Sequence, residues 1–224
     1  MINERVEALK RIGTGLAFIV WPFMAMLAYA VHPNLLSLEI GGTISEKVAQ
    51  FHNNGLLHFG HFIMLLGVPF LFIIAAKFMG MLKKKGAWWG LIGGVTGCLG
   101  ALTLAVDKTA LCLVPSAFDT LPEVQYTPMI PGLEALFAFE GWLAILWLLP
   151  LLAVGFLMLG IGLYVARAIP RWQSVALIVS MLVTAVSSAL DIDIVGIAAT
   201  VILAIAFIPL GIRIMKGEAA PASG

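Results

Sequence analysis

Six long apolar stretches divide the chain, with short polar segments between them. A helix that crosses the hydrocarbon core of a bilayer needs about 20 mostly apolar residues. The alternating segments of about ten residues that build a membrane β-barrel are not visible. The pattern therefore predicts an all-α, polytopic helical membrane bundle in which residues 1–224 form a single integral membrane domain. The predicted spans are about 12–31, 58–82, 87–106, 141–166, 172–190 and 192–215.

Composition supports the same class. The chain is 61% hydrophobic and 11% charged, with a mean hydropathy of +1.05, whereas a soluble domain has about 25% charged residues. The formal net charge is only +1, so bulk electrostatics give no reason to expect nucleic acid as a partner. We therefore expect the lipid bilayer to be the main environment of this chain.

The positions of the basic residues predict an orientation. Only Lys47 and Lys108 fall in the connections on one side of the predicted membrane. Because Lys and Arg concentrate in cytoplasmic segments, both termini are predicted to be cytoplasmic in an inner (plasma) membrane protein. The basic residues on the predicted cytoplasmic side are Arg5, Lys10, Arg11, Lys77, Lys83, Lys84, Lys85, Arg167, Arg171, Arg213 and Lys216.

The first span admits a second interpretation. Its charged start, its apolar run and Ala28-Tyr29-Ala30 resemble a signal peptide with a cleavage site. The apolar run is about 20 residues, longer than the core of a usual signal peptide. We therefore expect a retained first helix, while cleavage near Val31 would leave five spans and an outer N-terminus.

The two predicted outer loops, 32–57 and 107–140, are longer than the inner turns. Residues 45–52 predict a short capped helix, and residues 133–139 predict a short interfacial helix. The 107–140 loop also contains more apolar residues than a disordered acidic loop would hold. Such a segment is a natural lid or partner-binding surface.

The third span contains glycines at helical spacing. Gly90 and Gly94, and also Gly93 and Gly97, are four residues apart. Small residues on one stripe let helix backbones approach closely within a membrane. The stripe predicts close helix packing, and it is also a candidate contact with another membrane subunit.

Candidate chemistry concentrates at the predicted outer ends of the helices. His58 and His61 are three residues apart, so they share a helix face. Asp107 and Glu140 are predicted at the same depth, and His32 ends the first span. Histidines with a carboxylate could hold a divalent transition metal or relay protons. Haem held between His32 and His58 or His61 is a further possibility, and so are interfacial polar residues without a ligand. We take His58, His61, Asp107 and Glu140, with His32 as an addition, as the candidate metal site.

Three function classes follow. The first is handling of a small solute or ion, or service as the membrane subunit of a transporter. The second is a metal- or haem-binding redox subunit, and the third is a structural or sensory subunit with a partner-binding outer loop. The chain has no Walker, dinucleotide or GxSxG motif, which argues against a nucleotide-dependent or acyl-transfer enzyme.

One segment resembles a known class of proteins. It is Gly160-Ile-Gly-Leu-Tyr-Val-Ala-Arg-Ala-Ile-Pro-Arg-Trp, in which a helix ends in Arg and a Pro-Arg-Trp turn leads into the next span. With the His-containing second span and the Gly-rich third span, it is similar to uncharacterised bacterial six-span membrane families, of the domain-of-unknown-function type. The resemblance covers the second to fifth spans in outline. It implies a bacterial inner-membrane protein and carries no activity with it.

Overall fold

The computed structural model describes residues 2–33, 35–38 and 42–218, and these form helices without any strand. Six of the helices are long and apolar enough to cross a membrane, which confirms the predicted helical bundle. Residues 34 and 39–41 of the predicted loop 32–57 lie outside the described part. The helices are α1 (Ile2–Ala30), α2 (Ile44–Phe51), α3 (Gly55–Met81), α4 (Ala87–Lys108), α5 (Val114–Phe118), α6 (Glu123–Tyr126), α7 (Ile130–Phe137), α8 (Leu151–Ala166), α9 (Arg171–Leu190) and α10 (Asp193–Lys216).

The long helices form one packed bundle. Helix α1 packs against α10 and α3, α4 packs against α8 and α3, and α9 lies between α8 and α10. Three phenylalanines, Phe18, Phe78 and Phe207, meet edge to face with ring centroids 5.0 to 5.8 Å apart. Since these side chains come from α1, α3 and α10, they join the first, second and last spans at the centre of the core.

The glycine stripe of α4 is used within the chain. A Cβ on Gly155 of α8 would overlap the backbone of Gly97 and lie 2.7 Å from the Gly93 carbonyl oxygen. The α4 and α8 backbones are therefore in direct contact, as the spacing predicts. Because α8 and α3 cover this stripe, the 107–140 segment is the more accessible of the two surfaces predicted to bind partner subunits.

The third span extends beyond its predicted boundary, whereas the fourth span keeps its predicted residues 141–166 but begins as an irregular helix. The third span continues as helix through a π-helical turn, Thr109–Leu113, to Phe118, so 107–118 is helix rather than loop. Its 32 residues rise about 48 Å, which is more than the thickness of the hydrocarbon core. The fourth span begins as a 3₁₀ helix, Gly141–Leu148, and becomes α-helical only after Pro150, whose ring excludes a regular preceding turn.

Short helices cap the bundle at the end where α1 finishes and α3 begins. Helix α2 has the predicted capped form, with Thr43 as its N-cap and Glu46 completing a capping box. The Thr43 backbone N–H, and then its side chain, lower the pKa of the exposed Glu46 carboxyl. Val48, Tyr126 and Leu133 form a small apolar core between the short helices. The Ser45 hydroxyl also donates to the Glu134 carboxylate. The segment 107–140 is thus a folded cap rather than an open loop.

Candidate functional site

Three side chains at the ends of three different spans form a hydrogen-bonded row beneath this cap. Asp193 Oδ2 lies 3.0 Å from His32 Nδ1, and His32 Nε2 lies 3.1 Å from His61 Nε2. His61 is only 6% exposed. We call Asp193, His32 and His61 the outer triad, because they lie at the end of the bundle that the sequence predicts to face outward.

Local structure sets the position of each triad member. His32 follows the end of α1, where its backbone N–H still donates to the Tyr29 carbonyl. His61 lies in the second turn of α3. Asp193 is the first residue of α10, after a tight turn in which Asp191 has a left-handed backbone with φ 57°. The Ser187 hydroxyl donates to the Ile192 carbonyl and fixes that turn.

The contact between the two imidazoles requires a shared hydrogen. Two ring nitrogens can bond at 3.1 Å only if one is a donor and the other an acceptor. His32 Nδ1 carries a hydrogen, because it faces a carboxylate oxygen, which can only accept a hydrogen bond. His61 Nδ1 is buried and has no hydrogen-bond partner within the described part of the chain. The pair therefore holds either two ring protons, with both rings neutral, or three, with one imidazolium.

A largely buried ion pair adjoins the triad. Lys108 Nζ lies 2.8 Å from Asp107 Oδ2, and their side chains are 19% and 7% exposed. Lys108 is close enough to act electrostatically on His61 and on Tyr29, and Tyr29 also lies within electrostatic range of Asp193. Asp107 is thus paired with the one ammonium group, and Asp193, which bonds His32, is the second carboxylate of the cluster. With neutral imidazoles the cluster has a net charge of −1, and one further proton neutralises it.

A second histidine group holds the cap on the bundle. Asp119 accepts from both His58 Nε2, at 2.8 Å, and His52 Nδ1, at 2.9 Å. The sulfur of Cys112 lies 3.2 Å from His58 Nδ1. We call His52, His58 and Asp119 the cap clasp, because Asp119 belongs to the 107–140 segment and the histidines to the α2–α3 region.

A tyrosine adjoins the cap clasp. The ring of Tyr126 stacks on His52 with centroids 3.8 Å apart. Burial, followed by the charges of Asp119 and Glu123, raises the pKa of the Tyr126 hydroxyl. The phenol therefore stays protonated, and its ring forms the wall of the clasp.

The predicted candidate residues fall into different surroundings. His58 and His61 do share a face of α3, since the Phe51 ring contacts both imidazoles. Yet His61 is hydrogen-bonded to His32, while His58 is hydrogen-bonded to Asp119. Asp107 forms an ion pair with Lys108. Glu140 is exposed and lies outside both histidine groups, because the chain reverses through positive φ angles on either side of it. In the described ranges no three His, Cys, Asp or Glu side chains are arranged to hold a metal ion.

Sequence reasoning missed the acidic partners of the histidines. Asp193 was recognisable as an outer acid in the turn between the last two spans, but nothing in its spacing linked it to His32. Asp119 and His52 are 67 residues apart and meet only because the cap folds back over α3. Comparison of this chain with protein-family models, with curated proteins and with solved structures found no match.

Proposed function

We propose that this protein handles a small ion or solute at its outer end, and that the outer triad holds the proton that this site takes up or gives up. The single observation that carries the proposal is the partly buried row Asp193–His32–His61, with its contact between two imidazoles. Imidazole is the side chain that ordinarily changes charge between about pH 5 and 8.

Charge balance supports a single proton at this site. An unpaired buried charge is costly, so buried charged groups are normally paired. Asp107 is neutralised by Lys108, which leaves Asp193 to be neutralised by a proton on the histidine pair. Asp191, two residues earlier, already pairs with Lys47 at 2.7 Å. The site therefore has a place for one additional positive charge.

The cap supplies the means to open and close such a site. The rings of Phe51 and Phe137 pack edge to face at 5.0 Å, and Phe51 also covers His61 at 5.2 Å. The Phe51 ring shields His61 from water, with Phe137 packed against it, while the cap clasp ties the 107–140 segment to α3. A solute that displaced the cap would expose the triad, so proton binding and solute binding are linked.

The proposed role is a binding step or gate rather than a proton pump. The sequence has no Asp, Glu, Lys or Arg near the middle of any predicted span, where pumps place their proton relays. A proton held by the outer triad therefore has no charged side chain in the middle of the membrane to which it could be passed. This argument favours a small permease or the membrane subunit of a larger transporter.

The protonation state of the triad tests the proposal. In protein purified in detergent micelles with ¹⁵N-labelled histidine, we expect the pair joined by the His32–His61 contact to have three ring protons at neutral pH. An Asp193→Asn variant should have two, because the carboxylate that stabilises the imidazolium is gone. Nitrogen chemical shifts distinguish protonated from bare ring nitrogens and so count these protons.

A neighbouring acid provides the matched control. Asp191→Asn removes the same charge two residues away, at a site paired with Lys47 rather than with a histidine. That variant should keep three ring protons on the pair. A neutral pair in the unaltered protein, or the same loss in both variants, would contradict the proposal.

A second candidate function is transition-metal binding, favoured by the direction of the two Nε2 atoms. They converge to 3.1 Å while His32 Nδ1 faces a carboxylate, the arrangement in which a metal-bound histidine is oriented by an acidic partner. Two imidazoles would leave the remaining coordination positions to water or a substrate. In the same purified samples, stoichiometric metal lost in a His32→Gln/His61→Gln variant would support this function. A haem would add a Soret band, and a colourless, metal-free protein would exclude both.

We also propose the orientation in which the triad and the cap face outward and both termini are cytoplasmic, in a bacterial inner membrane. The distribution of Lys and Arg and the resemblance to bacterial six-span families support it. Alkaline phosphatase fused after Asp119 should be active, and the same enzyme fused after Lys84 should be inactive, since it folds only outside the cytoplasm. The reverse pattern would overturn the orientation.

A further inference from the structure

A cleft lies at the opposite end of the bundle from the histidines. It has a volume of about 430 Å³ and is formed by the start of α1, the end of α3, the end of α10 and the residues before α9. Six charged side chains line it: Glu7, Lys10, Arg11, Lys77, Arg213 and Glu218. Four are basic and two are acidic, so the cleft has an excess of two positive charges.

The excess positive charge of the cleft comes from Arg11 and Lys77. Lys10 pairs with Glu7 at 2.8 Å, and Arg213 lies 3.6 Å from Glu218. Arg11 and Lys77 make no ion pair with a carboxylate in the part of the chain that the structure describes. They come from different helices, α1 and α3, and face the same space. Two unpaired cations converging on one cleft attract an anion.

A glycine lets one of these cations reach the cleft. Gly217 ends α10 with a left-handed backbone, φ 72°. A Cβ there would lie 2.7 Å from Arg11 Nη1, so the guanidinium lies directly against the bare backbone. Only glycine combines this φ with the space that Arg11 requires.

We propose that the cleft binds a negatively charged phosphate group, with Arg11 and Lys77 as its main contacts, and that the phosphodiester headgroup of an anionic lipid supplies it in the membrane. A guanidinium can bind two phosphate oxygens at once, and an ammonium adds a point charge. The cleft lies at helix ends, at the level of lipid headgroups, where basic pockets between spans bind acidic lipids. Its volume exceeds that of a single phosphate ion and accommodates the rest of a headgroup.

Lipid-dependent stability tests this proposal. In detergent micelles, added phosphatidylglycerol should raise the midpoint of thermal unfolding by several degrees more than phosphatidylcholine does, because a ligand of the folded state stabilises it. An Arg11→Gln/Lys77→Gln variant should lose most of this difference. Its unfolding midpoint without lipid should be close to that of the unaltered protein, since Arg11 is exposed and Lys77 is partly exposed.

Two further variants separate the cleft from general basicity. Lys83→Gln/Lys85→Gln removes two exposed charges at the same end but outside the cleft, and should keep the full lipid effect. Gly217→Ala keeps every charge but displaces Arg11, and should weaken the effect. Equal loss in the two double variants, or equal stabilisation by both lipids, would overturn the proposal.

Inorganic phosphate identifies the source of the bound group. If millimolar phosphate stabilises the protein only weakly and does not reduce the phosphatidylglycerol effect, the lipid headgroup is the ligand. If phosphate alone stabilises the protein through Arg11 and Lys77 and competes with the lipid, the cleft still binds phosphate, with the free ion as its source. Both results support the phosphate site, and both are independent of the outer triad.

Discussion

Replacing Asp107 by asparagine should destabilise the folded protein by about 3 kcal/mol. This value is the lower end of the range of about 3–5 kcal/mol that is usual for breaking a buried ion pair. The change leaves the Lys108 ammonium, 19% exposed, without its partner 2.8 Å away. Burial of an unpaired charge is costly, and asparagine offers a dipole in place of a full charge. Unfolding of the purified protein by a graded denaturing detergent, followed by circular dichroism, measures the effect.

Two controls show that the cost comes from the unpaired charge. In Asp107→Leu/Lys108→Met both charges are gone, so stability should be closer to that of the unaltered protein than in the single variant. Asp191→Asn breaks the exposed pair with Lys47, whose side chains are 54% and 38% exposed, and should cost less than about 1 kcal/mol. If Asp107→Asn costs no more than Asp191→Asn, the Lys108 ammonium does not depend on Asp107 for its counter-charge.

Replacing Gly155 by alanine should destabilise the protein by about 1–3 kcal/mol or more, the range for overpacking a tight contact. The added Cβ would overlap the Gly97 backbone and lie 2.7 Å from the Gly93 carbonyl oxygen. Since backbone atoms cannot move aside as a flexible side chain can, α4 and α8 must separate. The same detergent unfolding experiment should show an earlier midpoint.

Gly80→Ala is the matched control, for which the expected change in stability has the opposite sign. It lies within α3, and a Cβ there would meet no atom within 4 Å. Alanine is a better helix former than glycine by up to about 1 kcal/mol, so Gly80→Ala should leave stability unchanged or raise it. If Gly155→Ala behaved like Gly80→Ala, the α4–α8 contact would not be the close backbone approach described above.

The cap clasp and the outer triad divide the four histidines into pairs with separate partners. His52 and His58 bind Asp119, and His32 and His61 connect to Asp193. The clasp tethers the cap, whereas the triad lies beneath it. In the proposed function, opening of the site would therefore loosen the clasp first, and the triad beneath the cap would respond.

Short-range pattern was enough to predict most of the fold. Apolar runs of about 20 residues predict the six spans, because lipid forces each crossing segment to satisfy its own backbone hydrogen bonds as a helix. The short helix 44–51 was predictable from its N-terminal capping residues. The close packing of α4 was predictable from the spacing of its glycines. Boundaries were less certain, since Asp107 and Cys112 continue the third helix beyond the apolar run.

The candidate site was only partly predictable. The sequence by itself determined that this is a helical membrane chain with histidines and acids at one end and bases at the other, because span length and charge placement are local properties. Only the tertiary structure decided that His61 faces His32 and Asp193, that His58 faces Asp119, and that Asp107 pairs with Lys108. Each of these contacts except the last joins distant segments, and helix rotation and the fold of the cap fix which side chains meet.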